Sequence, residues 1–496
     1  MNWKRLRPWF LLLFTAAGIG CVSFYTYNSA QLFSIGFPLD DAWIHQTYAR
    51  NLATTGIWFF QDGAPSTGST APLWTVLLVP GYFLNLSPVI WSGALGTVLL
   101  ITTALTAGSL LEIRIRPGTV IYLVGGIVIL LDWHLLWAAV SGMETMAACC
   151  LVVIFFYILE RFPQKSFLLG VILGVGVWIR PDLITLGLPL GIAIVLNWKS
   201  GVKKLFTYFL SVGAGLCIFV VPYLWLNKAL SGAWWPSTFY AKQAEYAVRR
   251  SLPLAGRILR QFIQPLIGAG GILLPGIIIN VGYTLRRKKW SDLAPHLWIA
   301  TYLTLFAVRL PVTYQHGRYA MPVIPIVLVL GVEGLLRVVK WNADRFCLRA
   351  ASRVWSISSM LVLLIFMLKG ASAFAQDVAI IESEMVETAS WISENTGTGD
   401  LVAAHDIGAI GYFSDRRLID LAGLISPEVI PILRNEQELA GYMNERGVDY
   451  LVTFPDWYPD LTADAEPFYQ TDTDFSIKAG GENMAVYIWP TVGFAP

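Results

Sequence analysis

The feature that most constrains this chain is a recurring block of apolar residues. Runs at 9–27, 72–86, 91–111, 119–136, 146–159, 167–178, 183–198, 205–226, 262–283, 297–310, 320–336 and 354–368 interrupt it from the N-terminus onward. A helix crossing the hydrocarbon core needs about 20 such residues, so about 12 candidate spans are present, several of them short. Charged residues make up only 14% of the chain and hydrophobic ones 55%. Soluble domains are about one-quarter charged, which excludes that class for most of the length. The expected fold class is an α-helical polytopic membrane protein of about 11–13 spans. A net charge of +2 excludes a nucleic-acid partner held by bulk electrostatics. The five cysteines (Cys21, Cys149, Cys150, Cys217 and Cys347) give neither a disulfide framework nor a zinc spacing. The first run has basic residues before it but no convincing cleavage site after it, so it reads as an uncleaved span.

Short-loop Lys and Arg set the expected orientation. Lys4, Arg5 and Arg7 place the N-terminus inside. Lys199, Lys203 and Lys204 mark a second inside loop, Arg286 to Lys289 a third, and Arg337, Lys340, Arg345, Arg349 and Arg353 a fourth. One more span puts the C-terminal part outside. That requires an odd number of crossings, whereas the runs are even in number. The suspect stretch is 72–116, because Arg114 and Arg116 read as cytoplasmic. The expected domains are a membrane part, 1–370, with outer loops at 28–71 and 228–260, and an extracytoplasmic α/β domain, 371–496. In that domain the patterning predicts helices at 383–395 and 436–446. It predicts strands at 401–404, 417–421, 450–454, 475–478 and 485–489. The segment His405-Asp406-Ile407-Gly408 reads first as a structural turn.

Polar residues gather in the outer segments. Asp40 and Asp41 follow the first span. Asp40 suits an N-cap and Asp41 the first turn of a helix on which His45, four residues on, shares a face with Asp41. A cap uses one Asp, so the second carboxylate points to a general base or a cation ligand. The turn-rich segment 62–74 (Asp62 to Trp74) leads into the next run. It is either a plain loop or a sugar- or phosphate-binding one. Glu144 sits at the mouth of an apolar helix, where a carboxylate is either functional or favoured by the helix dipole. Arg180-Pro181-Asp182 breaks a long apolar stretch; its charges pair with each other or reach a phosphate. Trp234, Tyr240 and Lys242 lie in the second outer loop, as an interfacial aromatic belt or as sugar-stacking rings with a phosphate contact. Arg249, Arg250, Arg257 and Arg260 run against the positive-inside bias there. His316 and Arg318 add cationic side chains at the mouth of a later span.

Taken in order, these pieces resemble the GT-C superfamily of membrane glycosyltransferases, which use polyprenyl-phosphate sugars. The chain is most similar to the terminal arabinofuranosyltransferases of the B type. It is more distantly similar to protein O-mannosyltransferases and aminoarabinose lipid A transferases. The pieces are Asp40-Asp41, Ser69-Thr70-Ala71-Pro72-Leu73-Trp74, Ser141-Gly142-Met143-Glu144-Thr145, Arg180-Pro181-Asp182, Pro236 to Lys242, His316-Gly317-Arg318-Tyr319 and, in the tail, Asp406-Ile407-Gly408 with Gly411-Tyr412. Ser237 departs from the Asn expected before Thr-Phe-Tyr, so fine donor specificity is not carried over.

The resemblance implies inverting transfer of a sugar, arabinofuranose- or mannose-like, from a polyprenyl-phosphate donor to an envelope glycan, lipid or protein. The reaction would occur at the outer face of the cytoplasmic membrane. It implies Asp40 as general base and Asp41 as orienting group or, with Glu144, ligand of a divalent cation (Mg, Mn or Ca). It further implies Lys242, Arg318 and Arg180 on the lipid phosphate, and Tyr240 and Trp234 lining the sugar pocket. His45, Asp182 and His316 complete the expected binding set. Two rival readings are a transporter or flippase of lipid-linked sugars and a non-catalytic glycan-binding scaffold. The first calls for polar pairs deep in several helices or inverted repeats, and the sequence has neither.

Overall fold

The computed structural model of the protein describes residues 7–61, 65–341, 345–463 and 465–489. Lys4, Arg5 and the segment Asp62-Gly63-Ala64, all invoked above, lie outside the described residues.

Six helices are individually long and apolar enough to cross a bilayer, or seven if the pair Thr119–Leu130 and Trp133–Val140, bent by 58°, forms one span. Shorter helices complete the bundle. The passes are Arg7–Leu32, Pro88–Arg114, the bent pair, Thr145–Arg161, Ser166–Ile179, Pro181–Leu186 continuing as Gly187–Asn197, Val202–Ser231, Ala269–Arg286, Ala294–Arg309, Ile324–Trp341 and Phe346–Ile380. They run between two polar ends. A basic end carries Arg114, Lys204, Lys289 and Arg337 around one cavity, and the opposite end carries Asp41, Glu144, Arg180, Lys242 and Arg318 around another.

Taking the shorter helices as passes as well gives eleven among the described residues, an odd number where the runs are even. The run at 72–86 forms the helix Pro72–Phe83, whose 12 residues extend about 18 Å, well short of a hydrocarbon core of about 30 Å. It starts at the functional end and folds back, with Trp91 Nε1 donating to the Leu77 carbonyl at 2.9 Å. The stretch 72–116 therefore crosses once, and Arg114 falls at the basic end. There it donates to Glu333 at 2.6 Å and also pairs with Glu160. The proline in Arg180-Pro181-Asp182 separates two passes, as its chemistry requires. Helices approach closely where side chains vanish: a Cβ on Gly276 would lie 2.1 Å from the Gly331 carbonyl oxygen.

The helix Phe346–Ile380 does not stop at the expected domain boundary. A π-helical turn, Ile381–Val386, joins it to Glu387–Asn395 without a linker. Beyond it lies a five-stranded sheet: β1 (Leu401–Ala404), β2 (Arg417–Asp420), β3 (Tyr450–Thr453), β4 (Tyr469–Gln470) and β5 (Ala485–Ile488). The order is β2-β1-β3-β5-β4. β1 pairs in parallel with β2 and β3, and β5 pairs antiparallel with β3 and β4. The strand expected at 475–478 is instead the short helix Asp474–Lys478. Its apolar pair, Phe475 and Ile477, satisfies the alternation rule by accident: Phe475 packs on Phe33 at 5.4 Å, and Ile477 is 54% exposed.

Candidate active site

Helix Asp41–Thr55 lies at the functional end with its first half buried. Asp40 occupies the N-cap position, yet its side chain makes no capping bond to that helix. Its two oxygens accept instead from the backbone N–H groups of Gly408 and Ala409, both at 2.7 Å. Asp40 thus fastens the soluble domain to the membrane part. A Cβ on Gly408 would sit 2.0 Å from the Asp40 carbonyl oxygen, so only glycine permits this approach. Trp43 stacks near Tyr412 and Phe413, and Arg50 Nη1 donates to the Tyr412 carbonyl at 2.8 Å. Burial pushes the Asp40 carboxyl up to about 7, although the two amides pull the other way.

Asp41, one residue on, points into a cavity. Arg318 donates to Asp41 Oδ2 at 2.5 Å and Lys242 lies 3.5 Å from the same oxygen. Burial would raise its pKa, but Lys242 and Arg318 outweigh that and hold it well below the usual carboxylate range. Both cations also donate to Tyr319 Oη at 3.2 Å. Arg318 keeps Nη1 buried without a protein partner. The turn that delivers Arg318 is left-handed at Gln315 (φ 53°), His316 (φ 56°) and Gly317 (φ 67°).

His45 faces the same space, and burial lowers its pKa despite Glu144 and Asp41 nearby. Its Nδ1 meets Ser69 at 3.0 Å and Thr75 at 3.1 Å, and Nε2 lies 3.6 Å from Glu144. Trp74 Nε1 donates to the Gly142 carbonyl at 2.8 Å, joining the Thr70–Trp74 approach to the Glu144 turn. Arg180 binds Asp182 through two 3.1 Å hydrogen bonds and lies 3.7 Å from Glu144. Tyr302 donates to Asp182 as well.

Three spaces meet here. A small central chamber of about 50 Å³ is lined by Asp41, His45, Glu144, Arg180, Lys242, Arg318 and Tyr319. Its two carboxylates face three permanent cations, and Asp182, just outside it, pairs with the third, Arg180. A polar cavity of about 590 Å³ opens from it beneath the soluble domain, between Asp41, Lys242 and Arg318 below and Asp406 and Trp457 above. An apolar cleft of about 370 Å³, with Trp235, Phe239, Leu305, Phe306 and Leu310, reaches it past Arg180 and Thr238. Lys242 borders all three.

The structure brings together Asp41, His45, Glu144, Arg180, Asp182, Lys242 and Arg318, but not every expected residue. His316 turns away to Asp377 Oδ2 at 2.7 Å, between the rings of Trp133 and Trp137. Trp234 is 56% exposed under Lys228, and Tyr240 packs edge-on against Phe239; neither borders the three spaces. Their neighbours Trp235 and Phe239 line the cleft instead. Ser237 is buried against Thr67, which it meets at 3.0 Å. Residues not anticipated are Tyr319, Thr238 and the roof residues Leu424 and Trp457; Leu424 is the soluble domain's contribution to the chamber.

Asp41 and Glu144 do not fit a divalent cation, because each already faces basic groups, Arg318 and Lys242 on one side and Arg180 on the other. Among the described residues no group of three or more His, Cys, Asp or Glu is placed to hold a metal ion.

Comparison with solved structures decides the architecture. ArnT from Cupriavidus metallidurans bound to undecaprenyl phosphate superposes at a TM-score of 0.62 with 14% identity, each chain covered over its full length. The apo form of that protein gives 0.60 over 99% of this chain. The Archaeoglobus fulgidus oligosaccharyltransferase, tethered with an acceptor peptide, gives 0.57 at 11% identity, covering 88% of this chain and 69% of its own. The chain has the GT-C fold. Residues 376–487 match a family model described as a domain of unknown function, DUF8728. No curated protein matches the sequence. The GT-C comparison agrees with the helical membrane body and the appended α/β domain expected from the sequence.

Proposed function

We propose that this GT-C chain is a glycosyltransferase that moves one sugar from a polyprenyl-phosphate donor to an acceptor hydroxyl at the outer membrane face. The observation that carries the reading is the central chamber. Three cations, one of them Arg318 with its buried, unpartnered Nη1, stand where an apolar cleft meets a polar cavity, the junction that a lipid-linked phosphate sugar requires. The complex of ArnT with undecaprenyl phosphate supports a lipid of that chemistry. The basic loops at the other end support an orientation with the N-terminus inside and the soluble domain outside.

In this reading the donor tail lies in the cleft of Trp235, Phe239 and Leu305, and its phosphate meets Lys242, Arg180 and the unpartnered Nη1 of Arg318. The acceptor oxygen attacks the anomeric carbon from the side opposite the phosphate, inverting it. The bond from that carbon to the phosphate oxygen breaks, and its electron pair leaves with polyprenyl phosphate. Arginine and lysine stabilise the departing charge. The acceptor proton goes to Asp41. Asp40 is the less suitable base, since both of its oxygens accept backbone amides. Phosphate binding draws Lys242 and Arg318 from Asp41. The loss of those cations raises its affinity for a proton at the moment of use. No step is routed through a metal ion.

The test is transfer by the purified protein from a synthetic polyprenyl-phosphate pentose or hexose. Asp41→Asn is expected to slow it by about 10²–10⁴ while leaving donor binding in place. Full transfer by Asp41→Asn would overturn the assignment.

A further inference from the structure

The soluble domain does more than cover the membrane part. It presents two short segments to the roof of the 590 Å³ cavity, His405-Asp406-Ile407 after β1 and Trp457-Tyr458 after β3. Strand ends in the parallel part of the sheet thus face the cavity, the usual place for a ligand in such a sheet. His405 Nδ1 bonds Tyr458 Oη at 2.7 Å, and its ring meets the Trp457 ring edge-on at 4.8 Å. Trp457 is packed on one side by Phe454 at 5.3 Å and remains 44% exposed. A rigid, half-exposed indole is a platform for the C–H face of a sugar ring. Beside it, Asp406 has an oxygen, Oδ2, that is shielded from solvent and meets no protein hydrogen-bond donor. Such an acceptor calls for a hydroxyl or amide hydrogen from a ligand. Glu436 and Arg434 supply further polar groups on the same rim.

We infer that Trp457, Asp406, His405 and Tyr458 form a carbohydrate subsite that holds the acceptor, so that the acceptor is a glycan rather than a peptide. Trp457 stacks on a sugar ring one or more residues back from the reacting end, and Asp406 takes a hydrogen bond from a ring hydroxyl. The inference rests on the transfer reading for the word acceptor, but its binding content stands alone.

Saturation-transfer NMR on the full-length protein in detergent, without donor, tests it. The probes are an arabinan hexasaccharide, a mannan hexasaccharide and an unrelated hydrophilic hexapeptide. Binding of either oligosaccharide but not of the peptide, weakened about tenfold or more by Trp457→Ala and by Asp406→Asn and restored by Trp457→Phe, is expected. Peptide binding in place of glycan, or glycan affinity unchanged from the native protein in both variants, overturns it. A transfer assay separates the two ideas. If both variants transfer sugar with an unchanged acceptor KM, the subsite falls and the function stands. If the glycan binds through Trp457 and no lipid donor supports transfer, the subsite stands and the function falls.

Discussion

The Arg318 guanidinium reaches the Asp41 carboxylate at 2.5 Å across 277 residues of chain, and Lys242 meets the same oxygen from a third element. In the proposed reaction this carboxylate, held by two cations on separate elements, is a preformed anion exchange point: an incoming phosphate would take the cations and release the base.

Losing Asp41 therefore removes the base but not the phosphate grip. Asp41→Asn is expected to lower kcat by about 10²–10⁴, the usual contribution of a positioned base. The donor KM should stay level or fall. Steady-state kinetics with a synthetic lipid donor checks both.

In the proposed reaction Lys242 and Arg318 act on the departing phosphate. Lys242→Ala is expected to lower kcat/KM by about 10²–10³, as for removal of one donor to a developing oxyanion. Lys242→Arg should recover part of it. An unchanged rate in Lys242→Ala would move the phosphate away from the chamber.

Asp40 is expected to behave as a structural residue. Asp40→Ala leaves the Gly408 and Ala409 amides buried without partners, a cost of about 1–3 kcal/mol each. Hydrogen exchange at 405–413 should accelerate, and Gly408→Ala should do the same through its 2.0 Å clash. If Asp40→Ala kills transfer with exchange unaltered, Asp40 is chemical rather than structural.

Asp40 also gives a pH signature. Its folded pKa is raised to about 7 from 3.8 unfolded, so the folded state binds the extra proton between those values. Stability from this group is complete at low pH and is lost as pH rises through about 7. Thermal unfolding of the native protein relative to Asp40→Asn should therefore worsen from pH 5 to 8. A difference that is flat, or that improves, contradicts the shift.

Sidedness has a direct reading. Cys347 is exposed beside the basic end. In whole cells it should resist an impermeant thiol reagent that labels an Asp456→Cys variant, with Cys217→Ser as background. Inverted vesicles should reverse the pattern.

Much of this was legible in the chain. Apolar runs located the passes, Arg180-Pro181-Asp182 gave a break, and Asp41, His45, Glu144, Lys242 and Arg318 stood out as polar groups at one end. What escaped was contact between distant elements. The sequence offers no sign that Asp40 would spend its oxygens on amides 368 and 369 residues away. Adjacent aromatics posed a similar problem: which of Trp234 and Trp235 faces the cleft depends on a helix start at Ser237 and on its tilt, not on residue type. The two-residue strand β4 is too short to leave a period.

The unbroken helix from Phe346 to Asn395 has one more consequence. The helix and the Asp40 grip on Gly408 and Ala409 hold the soluble domain at two points, which opposes its swinging aside like a hinged cover. In the proposed reading a long polymer would slide in edgewise along the seam. The enzyme would then work on chain ends, with the spacing between Trp457 and Asp41 acting as a ruler for how much of an end it feels.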